Sequence, residues 1–436
     1  MRELPELLIA DAKGKILNVP NIQAAGMKGN SLFRLNSTDL IKLPSGSELF
    51  MTPDRSPIGY DPKSKLFSRF DQNPFAKRKE RCYAVSAFIS PGYTVRFNSA
   101  FYQREDAKML PLFSYAAVAF YKGDFYAAAL RVDRELRQDI SLMDIETVKK
   151  NVKARRKSHP KNRLFRHLER CALVYGCPAA KNLFLERYEA PLPTAPLCNA
   201  QCAGCISHQP KDACSITQPR IEFIPTPEEI AEVALYHMRA TRDPVVSFGQ
   251  GCEGEPLLVS DVIERAIRLI RKETSKGIIN INTNASRPQK VRRLFEAGLD
   301  SIRVSINSAR EVFYARYYNP KGYSFKDVLR SIEIAKICKG FVSLNYLIMP
   351  GFSDSKDEFY AFSSLIRRHR IDMAQLRNLN IDPVFYFKVL KVIIDDSELI
   401  GIKKLVFSLK REFPQLMTGY FNPSKQRMSR RLRSYK

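Results

Sequence analysis

From about residue 183 onward the chain alternates short apolar strands with amphipathic helices, and that rhythm leaves few folds open. Strands are predicted at Leu183–Tyr188, Val245–Phe248, Gly277–Asn282, Ser301–Ile306, Phe341–Ile348 and Met373–Leu379. Helices are predicted over Thr226–Ala240, 259–274, 287–297, Phe325–Lys339, 355–368 and 398–412, the first opened by Thr226-Pro-Glu-Glu. Six strand–helix units joined by right-handed crossovers make a parallel, barrel-like α/β sheet.

The strands carry a second signal. Parallel strands covered on both faces usually read as unbroken apolar runs. Here Ile279 and Ile281 alternate with Asn280, Asn282 and Asn284. Ile302, Val304 and Ile306 alternate with Arg303, Ser305 and Asn307. Ser343 shares one face with Asn345, and Gln375 one with Arg377. A side-chain period of two sends one set toward the helices and the other into the barrel. Closed barrels fill their interior with branched apolar side chains. A polar lining instead implies a roomier cavity that holds a polar ligand.

Between the first two strands lie Cys198, Cys202 and Cys205, spaced C-x3-C-x2-C. An odd number of close thiols suits a metal centre better than a disulfide. Taken alone, the loop allows two centres. One is an iron–sulfur cluster. The other is structural zinc, with His208 or Cys214 as fourth ligand. A glycine-rich segment, Ser247-Phe-Gly-Gln-Gly-Cys-Glu-Gly-Glu-Pro256, follows the second strand. Ligands of parallel sheets bind at that carboxyl end, where glycine lets backbone come close.

Together, the cysteine spacing, the Gly254-Glu255-Pro256 element and the strand–helix order resemble the radical S-adenosylmethionine (radical SAM) superfamily over roughly residues 183–390. The resemblance implies a partial (β/α)6 barrel. It implies that Cys198, Cys202 and Cys205 hold a [4Fe-4S] cluster with one iron left open for S-adenosylmethionine (SAM). Gly254 and Glu255 are then placed at the methionine amine, with Glu253 as the other acidic candidate. Asn282, Asn284, Arg303, Ser305 and Asn307 fall in the ribose and carboxylate region. The implied activity is reductive cleavage of SAM to a 5′-deoxyadenosyl radical, fed by an electron donor. Where the family often has an aromatic residue before the third cysteine, this chain has Gly204. Cys171, Cys177, Cys214 and Cys252 are left over. They are candidates for an auxiliary cluster, and Cys252, beside the cofactor turn, is also a candidate hydrogen-atom donor.

Residues 1–180 are expected to form a separate mixed, β-rich domain, with strand-like pieces at Glu48–Met51, Tyr83–Phe88, Tyr93–Phe97 and Tyr115–Tyr121. Two helices follow, at 142–157 and 161–176. The core is expected to run from 181 to 415, before a basic tail at 416–436. The net charge is +26. Residues 149–170 hold ten cations against one anion, and residues 421–436 hold six against none. Such stretches favour RNA or another polyanion as substrate. They also keep open a different class, a zinc-stabilised nucleic-acid-binding protein without catalysis. The acidic start of the chain, the absence of a bilayer-length apolar run and the unevenly placed cysteines lead to the expectation of a soluble protein of the reducing cytoplasm.

Overall fold

The computed structural model describes residues 4–135, 139–210 and 214–433. The core is a single parallel sheet of seven strands in sequence order. They are β1 (Glu189–Pro191), β2 (Val245–Phe248), β3 (Ile278–Thr283), β4 (Ser301–Ile306), β5 (Phe341–Ile348), β6 (Met373–Asn378) and β7 (Met417–Gly419). Unbroken order with a helix at nearly every crossover is the half-barrel that the repeated units predict. Apolar members of each strand, such as Ile279, Ile281, Ile302, Val304, Leu344 and Leu376, are fully buried against the surrounding helices.

The first strand is not where it was expected. Leu183-Phe-Leu closes a helix, Pro178–Phe184, whose proline occupies the first turn. Short apolar runs suit either element. The choice falls on helix because Glu186 and Tyr188 take positive φ (53° and 42°), which no strand accommodates. β1 starts just after that turn. Two helices absent from the sequence reading, Glu311–Tyr318 and Pro383–Leu390, follow β4 and β6. The segment read as a basic tail begins with β7. Its helix Lys425–Arg433 buries Met428 against the lower ends of the strands.

Residues 6–131 form antiparallel sheets built around one long strand, Ile16–Lys28. The expected pieces are present at Glu48–Thr52, Tyr83–Phe88, Tyr93–Val95 and Val118–Tyr121, and the strands that surround them are additional. This domain docks on the carboxyl ends of β5 and β6. The Thr94 hydroxyl donates to Leu376 O (2.6 Å), and Asn378 accepts from Val95 N and donates to Tyr93 O. A fully buried ion pair, Arg55–Asp382 at 2.8 Å, lies at the same seam. Helices Ile145–Ser158 and Arg163–Leu173 then lead back to the core. Among the described residues no helix is long and apolar enough to cross a membrane.

One buried histidine ties the entry of β1 to the helix that precedes β2. His237 Nε2 lies 3.2 Å from Tyr188 O, and Nδ1 lies 3.3 Å from the Thr241 hydroxyl. A neutral ring satisfies both contacts, and burial pushes its pKa down to about 4. The unfolded ring titrates near ~6.5, so acid favours unfolding as pH falls from ~6.5 toward the folded value. Between pH ~7 and ~5 this group alone should remove about 2 kcal/mol of stability. Urea unfolding of wild type and His237→Gln at both pH values checks this. The variant should lose that part of the slope.

Candidate metal centre and its neighbouring cavity

The cysteine loop is built on backbone bonds from two sides. Gly254 N donates to Ala195 O (2.6 Å) and Glu255 N to Leu197 O (2.8 Å), so the glycine turn after β2 holds the loop like an added strand. A Cβ on Gly254 would lie 1.9 Å from Leu197 O, which only glycine avoids. On the other side Gln201 N donates to Tyr318 O and Ala203 N to Tyr317 O. The unpredicted helix Glu311–Tyr318 is therefore the floor of the loop.

Glu253 and Glu255, one and three residues after Cys252, have different tasks. Glu253 Oε2 accepts from Thr194 N, Thr194 Oγ1 and Ala195 N, and its Oε1 accepts from Gln250 N. Both oxygens are spent on fixing the segment that leads into the cysteines. Glu255 accepts from Leu257 N, Asn284 N and the Thr283 hydroxyl, which ties the turn to the end of β3. Burial raises its pKa to about 7 against those hydrogen bonds. A cation beside it would restore the carboxylate.

The three cysteines open on one cavity of about 210 Å³. Gly254, Glu255, Asn282, Asn284 and Ser305 line it with them. Ser207, Arg220, Thr283 and Tyr318 line it too, and the sequence reading passed over these four. Arg220 was the one with a signal, as a lone cation in an apolar stretch after the loop. Its guanidinium donates to Cys205 Sγ (3.4 Å) and to Ser207 Oγ (3.1 Å). Burial pushes the Cys205 thiol up, but the Ser207 amide and hydroxyl together with Arg220 outweigh it and leave the thiol below its ordinary value. Gly204 packs against the Tyr317 hydroxyl on the helix beneath the loop.

Arg303, Asn307 and Cys252 stand elsewhere. Asn307 is buried and donates to Phe313 O and Tyr386 Oη, bracing the floor helix. Cys252 is turned toward helix Arg163–Leu173. Arg303 lines a second cavity, of about 320 Å³, that meets the first at Ile206, Gln250 and Gly251. There Arg303 donates to Gln375 (3.1 Å), while its Nε has no hydrogen-bond partner among the described residues. Burial, with Arg377 close by, pushes its pKa down to about 9. Arg377 lies over the Tyr420 ring at 4.8 Å. Glu189, the acid of this cavity, accepts from Ser247 and Asn422.

The polar interior thus serves two purposes at two depths. Asn280, Ser247, Ser301 and Ser343 form a buried layer, and the first three bond to one another, with Ser301 Oγ donating to Asn280 Oδ1 (2.8 Å). The next layer toward the carboxyl ends, Asn282, Asn284 and Ser305, faces open volume.

The donor set distinguishes the two centres that the loop alone allowed. Sulfurs on one tetrahedral zinc stand about 3.8 Å apart, given Zn–S bonds of ~2.3 Å. Among the described residues, donors within 4.8 Å of one another in a threesome are His167, Cys171 and Cys252, and the triplet is wider than that. His208 is exposed, and neither it nor Cys214 lines the cavity. Three spread thiols around a void fit a cluster, which needs three protein ligands and an open fourth iron. A family model, the radical SAM superfamily, matches residues 192–362, the span that contains the triplet, the glycine turn and strands β2 to β5. Residues 192–362 form a radical SAM superfamily domain. Family members use a [4Fe-4S] cluster and SAM, and Cys198, Cys202 and Cys205 are the residues here that would hold the former.

Two curated relatives are similar to part of the chain. The FeMo cofactor biosynthesis protein NifB of Klebsiella pneumoniae is 26% identical over 178 residues, 38% of this chain and 38% of its own length. GTP 3′,8-cyclase of Aquifex aeolicus is 26% identical over 211 residues, 48% of this chain and 61% of its own. The chain therefore spans less than two thirds of either relative. A crystal structure of HydG, a maturase of the [FeFe]-hydrogenase, superposes with a TM-score of 0.40 at 16% identity, over 67% of this chain and 70% of that one, too loosely to carry an argument.

Proposed function

We propose that the chain is a radical SAM enzyme whose substrate presents a carboxylate or phosphate to Arg303 and Arg377. The observation that carries the reading is the junction of two cavities, one lined by the triplet and Glu255, the other by two arginines with Glu189, the one acid among its described lining residues, already engaged. When bound, the cluster and SAM supply reductive cleavage to a 5′-deoxyadenosyl radical. The chain's own residues do the rest. Glu255, with Gly254 backbone beside it, receives the methionine amine. Asn282, Asn284 and Ser305 offer amide and hydroxyl groups to the ribose and carboxylate. Tyr318 and the buried cavity walls exclude water. The antiparallel domain, docked on β5 and β6, caps the entrance. An electron donor is required, and that reductive chemistry and the nine free thiols suit a cytoplasmic setting.

The basic stretch 149–170 supports a polyanionic substrate less than the arginine cavity does. Lys149, Arg156 and Arg163 pair with Glu146, Glu169 and Glu229. Arg155 and Arg170 lie over Tyr236 and Tyr175, and Arg166 bonds Pro160 O. These cations already serve the fold.

Anaerobic reconstitution with iron and sulfide, followed by dithionite and SAM, tests the activity. The expected result is about four irons per chain and 5′-deoxyadenosine by mass spectrometry, both lost in Cys202→Ala. A chain that takes up zinc without iron and forms no 5′-deoxyadenosine would overturn the proposal.

A further inference from the structure

Six cysteines lie outside the triplet, and two of them meet. His167 and Cys171 are one turn apart on helix Arg163–Leu173 and so share a face. Cys252 projects toward them from the glycine turn after β2. The His167 ring nitrogen, Cys171 Sγ and Cys252 Sγ all lie within 4.8 Å of one another, with His167 Nε2 and Cys171 Sγ at 3.5 Å. Both thiols are buried, at 1% and 3% exposure, and the ring is half-buried.

We infer that His167, Cys171 and Cys252 bind one Zn²⁺ that fastens the helical segment before the core to the cofactor-binding turn. The geometry is the argument. Zinc bonds of ~2.3 Å to sulfur and ~2.1 Å to nitrogen set donors about 3.5–3.8 Å apart. The present spacing needs an adjustment of no more than about an ångström to reach that. Two thiolates and one imidazole match borderline-soft zinc, and the half-buried side of His167 leaves a fourth position for water. An iron–sulfur cluster would call for a wider and thiol-richer set.

The site is separate from the cluster cavity, since none of its three ligands lines that cavity. It acts on the cavity all the same. Cys252 precedes Glu253 and Glu255 in one turn, and Ile221 N bonds Cys252 O (2.8 Å), so the ion would fix both the turn and the chain that follows Arg220.

The test is metal analysis on the full chain. Reconstituted wild type should hold one zinc besides its iron after gel filtration. The variant lacking Cys198, Cys202 and Cys205 should lose the iron and keep the zinc. Adding Cys171→Ser to it should remove the zinc. Should that variant not fold, His167→Ala, changed at the half-buried ligand, should still fold by circular dichroism and bind zinc at least about tenfold more weakly against a competing chelator. Zinc that disappears with the triplet, iron and sulfide at Cys171 and Cys252, a Cys171–Cys252 disulfide in the reducing-agent-free mass map, or unchanged zinc affinity in His167→Ala would each overturn the inference. None of these readouts depends on SAM cleavage.

Discussion

Gly254→Ala should leave a folded protein that retains little iron. The added Cβ meets Leu197 O at 1.9 Å and Leu197 C at 2.4 Å, both backbone atoms, so the cysteine loop must shift away from the turn. Overpacking of this kind costs about 1–3 kcal/mol. Because the displaced segment carries Cys198, the cost falls on cluster assembly, and iron retention after gel filtration should drop by about fivefold or more, since ~1.4 kcal/mol is a factor of ten. Gly204→Ala is the contrast. Its Cβ meets the far end of a side chain, Tyr317 Oη at 2.8 Å, and should reduce iron less. Equal iron in wild type and Gly254→Ala would show that the loop does not depend on this approach.

Asp382→Ala should be the most destabilising single change at the seam between the two domains. Asp382 Oδ2 accepts from Arg55 Nη2 (2.8 Å) and Leu110 N (3.1 Å), and its Oδ1 accepts from Val384 N (3.0 Å) at the start of helix Pro383–Leu390. Arg55 and Asp382 are 1% and 2% exposed in their side chains. Removing one partner strands the other charge in the interior, which costs about 3–5 kcal/mol. Loss of the helix cap adds about 1 kcal/mol. The double variant Arg55→Met/Asp382→Asn should be markedly more stable than Asp382→Ala, because no unpaired charge remains. Urea midpoints of the three proteins measure both statements.

Much of the core is legible in the chain because its elements follow from local periodicity. β2, β4 and β5 fall on their expected bounds. The triplet, Gly254, Glu255, Asn282, Asn284 and Ser305 share one cavity because each sits at the carboxyl end of a strand or in the turn beyond it. Arg303 and Asn307 diverge for a reason of depth and side-chain length. Asn307 lies beyond the end of β4, yet its amide is captured by Phe313 and Tyr386, on two helices that no periodic pattern announced. Arg303 points inward as expected, but its long side chain reaches across the sheet to Gln375 on β6. Such contacts depend on which strands face one another across the half-barrel, and alternation along one strand carries no information about that. The meeting of Cys171 with Cys252, 81 positions apart in the chain, is hidden for the same reason.

Asn422 closes the gap that an incomplete barrel leaves. Its side chain donates to Glu189 at the start of β1 and accepts from Gln375 in β6, and its carbonyl accepts from the Tyr188 hydroxyl. One amide thus works as a cross-tie between the first and sixth staves of an open cask. Chain order gives that tie a timing. Every strand from β1 to β7 precedes residue 422 in the chain, so that tie can form only once the whole sheet has been made. The width of the arginine cavity therefore depends on the segment after β7 as well as on the sheet itself.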